Sequence, residues 1–442
     1  MKVIAPEPNL AADVAAVRAC DPVRVHGRVA QVVGLVLESN GPQAALGEVC
    51  IVTDHASGRH VHAEVVGFRE SRVLLMPLGP LEGICEGAVV EAGGQRPSVP
   101  ASDAMLGRVL DGLGRPMDGG PPLPDARPRP LEAMPPNPLE RRILDAPLCL
   151  GVRAIDALLT CASGQRVGIF SGSGVGKSTL LGMIARNTSA EVNVIALVGE
   201  RGREVREFIE NDLGAEGMSR SILVVATSDQ PALVRVKAPL VATAIAEHFR
   251  DEGKDVVLMM DSLTRLAMAQ REVGLSVGEP PSTRGYTPSV FAMMPRLLER
   301  AGTAAVGSIT GIYTVLVEGD DTNEPIADHA RAILDGHIVL SRALAHQGHY
   351  PAIDISQSIS RVMPMVVSEE HLETARRFRE LLAAYASAED LIQIGAYQEG
   401  SNPLVDKAIQ RRDAMNAFLR QKRDERGSLP EALARMQEAI GA

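Results

Sequence analysis

Residues 171–179 read SGSGVGKST, an order of small and basic side chains that can hold a phosphate chain. The pattern is G-x-x-x-x-G-K-[ST], with Ser171 at the first glycine's place. Backbone N–H groups from Gly172 through Ser173, Gly174, Val175 and Gly176 to Lys177 can turn inward around phosphate oxygens. The helix that follows presents its positive end to the same anion. Gly174 and Gly176 permit backbone conformations that a side chain would block. Lys177 is expected to reach the β and γ phosphates, the Ser178 hydroxyl to bind Mg²⁺, and Thr179 to complete the loop. The first glycine mainly eases the turn out of the strand, and a small serine fits there.

Two carboxylates stand at comparable places. Asp261 closes the apolar run VVLMM, where a strand-end carboxylate either caps the next helix or serves a Mg²⁺ ion. With the phosphate loop upstream, the Mg²⁺ role is the stronger expectation. Glu200 closes VIALVG and opens GERGREVREF. Hydrolysis needs a group that orients or deprotonates the attacking water, and Glu200 is the candidate. A solvated loop charge or a helix cap is the competing reading. Glu204 is a second candidate for the base, and Arg201 would help order the loop.

These residues need a scaffold. From about 150 to 360 apolar runs alternate with helical stretches: QRVGIF, VNVIALVG, SILVVATS, DVVLMMDSL and GSITGIYTVLVEG supply the strands. Continuous apolar strands imply a mostly parallel sheet covered on both faces. Ligands in such sheets bind at the carboxyl ends of the strands, which is where Ser171, Glu200 and Asp261 fall. Residues 22–100 hold five or six short β-rich runs, the mark of a small β-barrel. Residues 112–138 are rich in Pro and Gly and cannot form a helix, so they read as a linker or an extended crossing segment. From about 366 onward the pattern is helical and charged. Residues 8–19 carry Leu10, Val14 and Val17 at helical spacing, and either a short helix or a frayed end accounts for them.

The bulk composition narrows the function. The chain has 442 residues, with 45% hydrophobic and 23% charged, as in an ordinary globular protein of more than one domain. A net charge of −10 and 3% aromatic residues disfavour a single-strand nucleic-acid binder. Cys20, Cys50, Cys85, Cys149 and Cys161 show no C-x-x-C pair, and reduced thiols in a cytosolic protein are expected. The N-terminal stretch lacks the apolar run of a signal peptide, and no window approaches the length of a membrane span.

SGSGVGKSTLL, GERGREVREF, MMDSLTRLAMAQRE, GEPPSTRGYTPSVF, SITGIYTVLVEGDD, ARAILDGHIVLSR and HYPAIDISQSISRVM together resemble the ATPases of type III protein export. That family is similar to the nucleotide-binding subunits of rotary ATP synthases. The resemblance runs from about residue 22 to the end. The family often has Ala at the first loop position, so Ser171 departs little. The fold it implies is α/β: a docking segment over 1–20, a β-barrel over 21–100, a connecting segment over 101–148, a RecA-like ATPase domain over 149–365, and a helical domain over 366–442.

The resemblance implies a homohexamer that binds ATP and Mg²⁺ at its subunit interfaces. Lys177 and Ser178 match the family's phosphate and Mg²⁺ residues, Asp261 its Walker B acid and Glu200 its catalytic glutamate. Arg361 matches the arginine given in trans to the neighbour's nucleotide, worth about 4–7 kcal/mol of barrier for a rate effect of roughly 10³–10⁵. Tyr350 matches an aromatic beside the adenine; from sequence alone it could be a core aromatic, and Arg361 a salt-bridge residue. Phe418 and Gln421 match, weakly, the place where the C-terminal domain approaches the base. In the family residues 274–285 face the ring's centre; an ordinary surface loop is the alternative.

The implied work is the unfolding of export cargo and the release of its chaperones at a membrane export gate. A stator-like regulator would bind the N-terminal segment, a stalk protein would dock on the ring, and the protein would be cytoplasmic and peripheral to the inner membrane. GLVLES and DLIQIGAYQEGSNPLVDKAI resemble the flagellar branch, with the injectisome branch as the alternative. A rotary ATP synthase subunit would split the site residues between two kinds of chain, whereas Lys177, Glu200, Asp261 and Arg361 occur here in one. A translocase similar to the transcription terminator Rho is disfavoured by net acidity and few aromatics. A noncatalytic nucleotide-binding scaffold is disfavoured by Glu200 and Lys177.

Overall fold

The computed structural model describes Val14 and residues 25–54, 58–124, 126–317 and 324–441. The expected N-terminal helix over 8–19 lies, Val14 apart, outside the described residues. The chain divides into two compact units between Pro97 and Ser98.

The first unit holds six strands: β1 (His26–Val33), β2 (Val36–Asn40), β3 (Val49–Asp54), β4 (Arg59–Arg69), β5 (Arg72–Pro77) and β6 (Val89–Ala92). They close into a barrel in the order β1-β2-β5-β4-β3-β6. Alternation builds it: every second residue of β3 is buried, and Cys50, Val52, Ala63, Val65, Leu75 and Val90 fill the interior. Gly27 admits no side chain, since a Cβ there would stand 2.0 Å from the carbonyl oxygen of Gly41.

The second unit is built on a nine-stranded sheet. Its outlying strands are β7 (Ser98–Ala101), β9 (Arg127–Pro130), β10 (Pro147–Leu148) and β11 (Cys161–Ala162), which pair off in twos. The main sheet takes β8 (Val109–Asp111), β12 (Arg166–Ser171), β13 (Val192–Glu200), β14 (Ser221–Thr227), β15 (Asp255–Asp261), β17 (Ser308–Leu316), β18 (Gly336–Leu340) and β19 (Ile353–Ser360), with β16 (Gly302–Thr303) paired to β17. The order is β19-β18-β12-β17-β15-β13-β14-β8. All neighbours on this path are parallel except β18 and β19. All nine residues of β13 are buried, as a strand covered on both faces requires.

The Pro/Gly-rich connecting segment does more than connect. Its β8 extends the main sheet beside β14, with Val109 opposite Leu223. Further along it, the Leu131 carbonyl accepts from Arg300, whose guanidinium meets the Glu247 carboxylate twice, at 2.9 and 2.8 Å, both side chains being buried.

Three helices, Glu369–Gln393, Pro403–Leu419 and Leu429–Ile440, form the C-terminal bundle. Ser368, Asn402 and Ser428 cap their first turns, the last as a capping box with Glu431. Phe378 and Phe418 meet at its centre, ring centroids 5.2 Å apart. Arg153 clamps the bundle to the core, donating to the Phe418 carbonyl at 2.7 Å and to Glu425 at 2.6 Å.

Of residues 274–285, for which a surface loop is the alternative reading, Gly274–Val277 belong to the helix Leu263–Val277; the chain leaves the helix at Gly278, whose left-handed φ of 95° ends it. Among the described residues, Cys50, Cys85, Cys149 and Cys161 are free thiols. No helix among them is long and apolar enough to cross a membrane.

Candidate active site

The carboxyl edge of the main sheet gathers the expected residues by register. Ser171 ends β12 between Leu316 and Leu340, Asp261 ends β15 opposite Leu197, and Glu200 ends β13. The loop after Ser171 holds Gly174 at φ 77° and Gly176 at φ 90°, both in the left-handed region that favours glycine. Val175 is buried in the core and pins the loop. Ser173, Gly174 and Ser178 are exposed. Lys177 begins the helix Lys177–Asn187, whose first turn no side chain caps, so its N–H groups suit an anion.

Lys177 links the two carboxylates. Its ammonium closes on Oδ1 of Asp261 and stands 3.7 Å from Oε1 of Glu200. Asp261 is buried, and its Oδ1 also accepts from the Thr314 hydroxyl at 2.8 Å. Oxygen donors from a hydroxyl and a carboxylate are the set a hard divalent cation takes, so Ser178 and Asp261 fit Mg²⁺. Asp261 already neutralises one cation, which shows that its buried charge can be matched here.

Glu200 reaches this edge through a bulge. β13 carries an extra residue between Val198 and Glu200, and Gly199 adopts φ 68° there. Arg265, in the first turn of the helix after Asp261, donates to the Gly199 carbonyl and stands 3.3 Å from Glu200. Burial, a hydrogen bond with Glu204 and the Asp261 charge push the Glu200 pKa up to about 7, against the pull of Lys177 and Arg265. The same hydrogen bond holds Glu204 below the usual carboxylate range. Arg201 is exposed and pairs loosely with Glu204 at 3.7 Å.

Arg265 and Thr314 were missed by the sequence reading. Arg265 lies four residues past Asp261, so the first turn of a helix leaving that strand returns it to the same edge. Thr179, expected among the nucleotide contacts, instead has its hydroxyl on Asp212, which burial holds above the usual carboxylate range.

Tyr350 is 46% exposed, so it is not a core aromatic, and its ring lies against Gly176, 3.4 Å from where a Cβ would stand. Phe418 and Gln421 do not join it as free contacts for a base. Phe418 is buried in the helical bundle, and the Gln421 side chain is spent on the Gly151 and Glu425 carbonyls and the Arg153 N–H.

Arg361 stands apart from all of these. Ser171 pairs with Leu340 at one end of β18, while Ser360 pairs with Gly336 at the other. The two ends are separated by about 13 Å along the strand, at about 3.3 Å per residue. Arg361 is exposed, its N–H is held by the Asp335 carbonyl at 3.0 Å, and among the described residues no carboxylate pairs with its guanidinium.

A part-buried lysine between two acids, at the mouth of a glycine-rich loop on a parallel sheet, defines a phosphate-loop nucleotide hydrolase. The chain matches the ATP synthase alpha/beta family models for the nucleotide-binding domain over residues 151–360 and the beta-barrel domain over 29–94. Residues 367–438 match the T3SS EscN ATPase C-terminal domain. It is 54% identical to the flagellum-specific ATP synthase of Bacillus subtilis, covering 95% of this chain and 96% of that one. It is 50% identical to the type 3 secretion system ATPase of Sinorhizobium fredii, covering 93% and 91%. The assembled ATPase EscN of the enteropathogenic E. coli type III secretion system superposes with a TM-score of 0.87 at 47% identity, covering 94% of this chain and all of that one; EscN is also known in complex with its central stalk EscO. The chain therefore belongs to the ATP synthase alpha/beta family, in its branch of flagellar and type III secretion ATPases. It is an ATPase.

Proposed function

We propose that the chain hydrolyses ATP at the interfaces of a homohexamer and that this drives type III protein export in the flagellar branch. The position of Arg361 carries the reading. An arginine whose backbone is held at the amino end of β12 stands too far from a phosphate at the carboxyl end of the same strand, so on this reading it serves a nucleotide on a neighbouring copy. Its lack of a carboxylate partner among the described residues leaves it available for that role.

Lys177 and the loop N–H groups hold the β and γ phosphates, and Tyr350 supplies a flat face beside the loop for the adenine. Mg²⁺ held by Ser178 and Asp261 would neutralise phosphate charge. Glu200 takes the proton of the attacking water, and Glu204 and Arg265 hold its carboxyl in place. Arg361 of the adjacent copy stabilises charge in the transition state.

The flagellar assignment is supported by flagellum-specific relatives at 54%, 53% and 53% identity, with type 3 secretion ATPases at 50% and 52% as the second reading. The C-terminal family match supports export over a rotary ATP synthase. On this reading the ring unfolds export cargo and releases chaperones, meets a stalk protein as EscN meets EscO, takes a stator-like regulator on residues 1–20, and works in the cytoplasm beside a membrane export gate.

The test is ATPase rate per subunit against protein concentration, for the wild type and Arg361→Ala. The rate should rise steeply with concentration, and the variant should stay roughly 10³-fold or more below it throughout. A flat rate with an indifferent Arg361→Ala in monomeric protein would place the whole site in one chain.

A further inference from the structure

Far from the nucleotide edge, three side chains converge. Asp103 opens the short turn Asp103–Met105 that leads into β8. His248 lies in the last turn of the helix Ala232–Asp251, and Glu252 caps its end four residues on, on the same face. Nε2 of His248 stands 3.5 Å from Oδ1 of Asp103 and 3.5 Å from Oε1 of Glu252, and the three ligand atoms all lie within 4.8 Å of one another.

These separations suit an ion better than hydrogen bonds. Zn²⁺ takes imidazole nitrogen and carboxylate oxygen at about 2.1 Å, which puts two tetrahedral ligands about 3.4 Å apart. Among the described residues, Nε2 of His248 is buried and makes no hydrogen bond, although two carboxylate oxygens lie near it. Lys254 approaches the opposite oxygens, Oδ2 of Asp103 at 3.6 Å and Oε2 of Glu252 at 3.4 Å. It offsets part of the acidic charge and leaves the inner oxygens facing the imidazole. The neighbouring Ser102 lines the same cavity; it is nine-tenths buried, and its hydroxyl also has no partner among the described residues.

We propose that Asp103, His248 and Glu252 form a binding site for a divalent transition-metal ion, Zn²⁺ above all, with water completing the shell. One nitrogen and two carboxylate oxygens favour zinc over Mg²⁺, which prefers oxygen alone in an octahedron. The ion fastens the segment that carries β8 to the end of a core helix. Its role is structural, and it owes nothing to the chemistry at Glu200.

The experiment uses the full chain, stripped with chelator, incubated with ZnCl₂ in the presence of millimolar Mg²⁺ and freed of loose metal by gel filtration. Cys85 is exposed and the chain has ten histidines, so the reading is a difference between proteins. The wild type should retain one more zinc per chain than His248→Gln or Glu252→Gln, and zinc should raise its melting temperature more than theirs. Lys254→Gln should bind zinc several-fold more tightly, because a competing positive charge is gone. Glu252 is exposed, so its variant tests the site even if His248→Gln folds poorly. Equal zinc content in wild type and Glu252→Gln would overturn the site.

Discussion

Nζ of Lys177 stands 3.7 Å from Oε1 of Glu200 while it closes on Asp261, so one ammonium is shared by two acids. On the proposed mechanism, the oxygens of an entering triphosphate compete for that ammonium. Glu200 is then left with Arg265 and Glu204 as its neighbours, close to neutrality in pKa and suited to accept a proton.

Glu200→Gln should therefore bind ATP as the wild type does and lose turnover by about 10²–10⁴-fold. Equilibrium binding of a fluorescent nucleotide and steady-state hydrolysis would separate the two effects. Unchanged turnover would move the proton-accepting role to Glu204.

Ser171 is buried at the end of β12, and its hydroxyl has no hydrogen-bond partner among the described residues. An unpaired buried hydroxyl costs about 1–3 kcal/mol. Ser171→Ala should then melt at the same temperature as the wild type or above it. A clear fall in the melting temperature would mean that the hydroxyl has a partner.

His349 gives a pH dependence with a definite sign. It is buried beside Tyr350, and burial, with the nearby charges of Arg420 and Arg412, lowers its pKa to about 4. The unfolded chain binds this proton near pH 6.5, so stability is full above that value and is lost as pH falls toward 4. The loss is on the order of 2–3 kcal/mol. Denaturant midpoints at pH 7 and 4.5 should differ less for His349→Gln than for the wild type. Equal differences would show that other groups carry the acid sensitivity.

The nucleotide edge was readable because its signals are local. SGSGVGKST joins an apolar strand to a helix, and Glu200 and Asp261 each end an apolar run, so a parallel sheet alone brings them together. What escaped depends on distant pairing. β8 is only Val109–Asp111, just ahead of a Pro/Gly-rich stretch, and its partner β14 lies more than a hundred residues on. Thr314 reaches Asp261 across the β15–β17 pair, which no spacing reveals. Phe418 and Gln421 matched only weakly the place where the C-terminal domain approaches the base, and both side chains are buried, Phe418 against Phe378 and Gln421 on the Arg153 N–H.

β8 also governs how the molecule can be cut. It covers the N–H and C=O row along the outer side of β14. A fragment begun at residue 149, where the ATPase motifs start, would leave that row bare and ready to add a strand from any neighbouring molecule. Such a fragment should clump, whereas one begun at Ser98 keeps its border sealed.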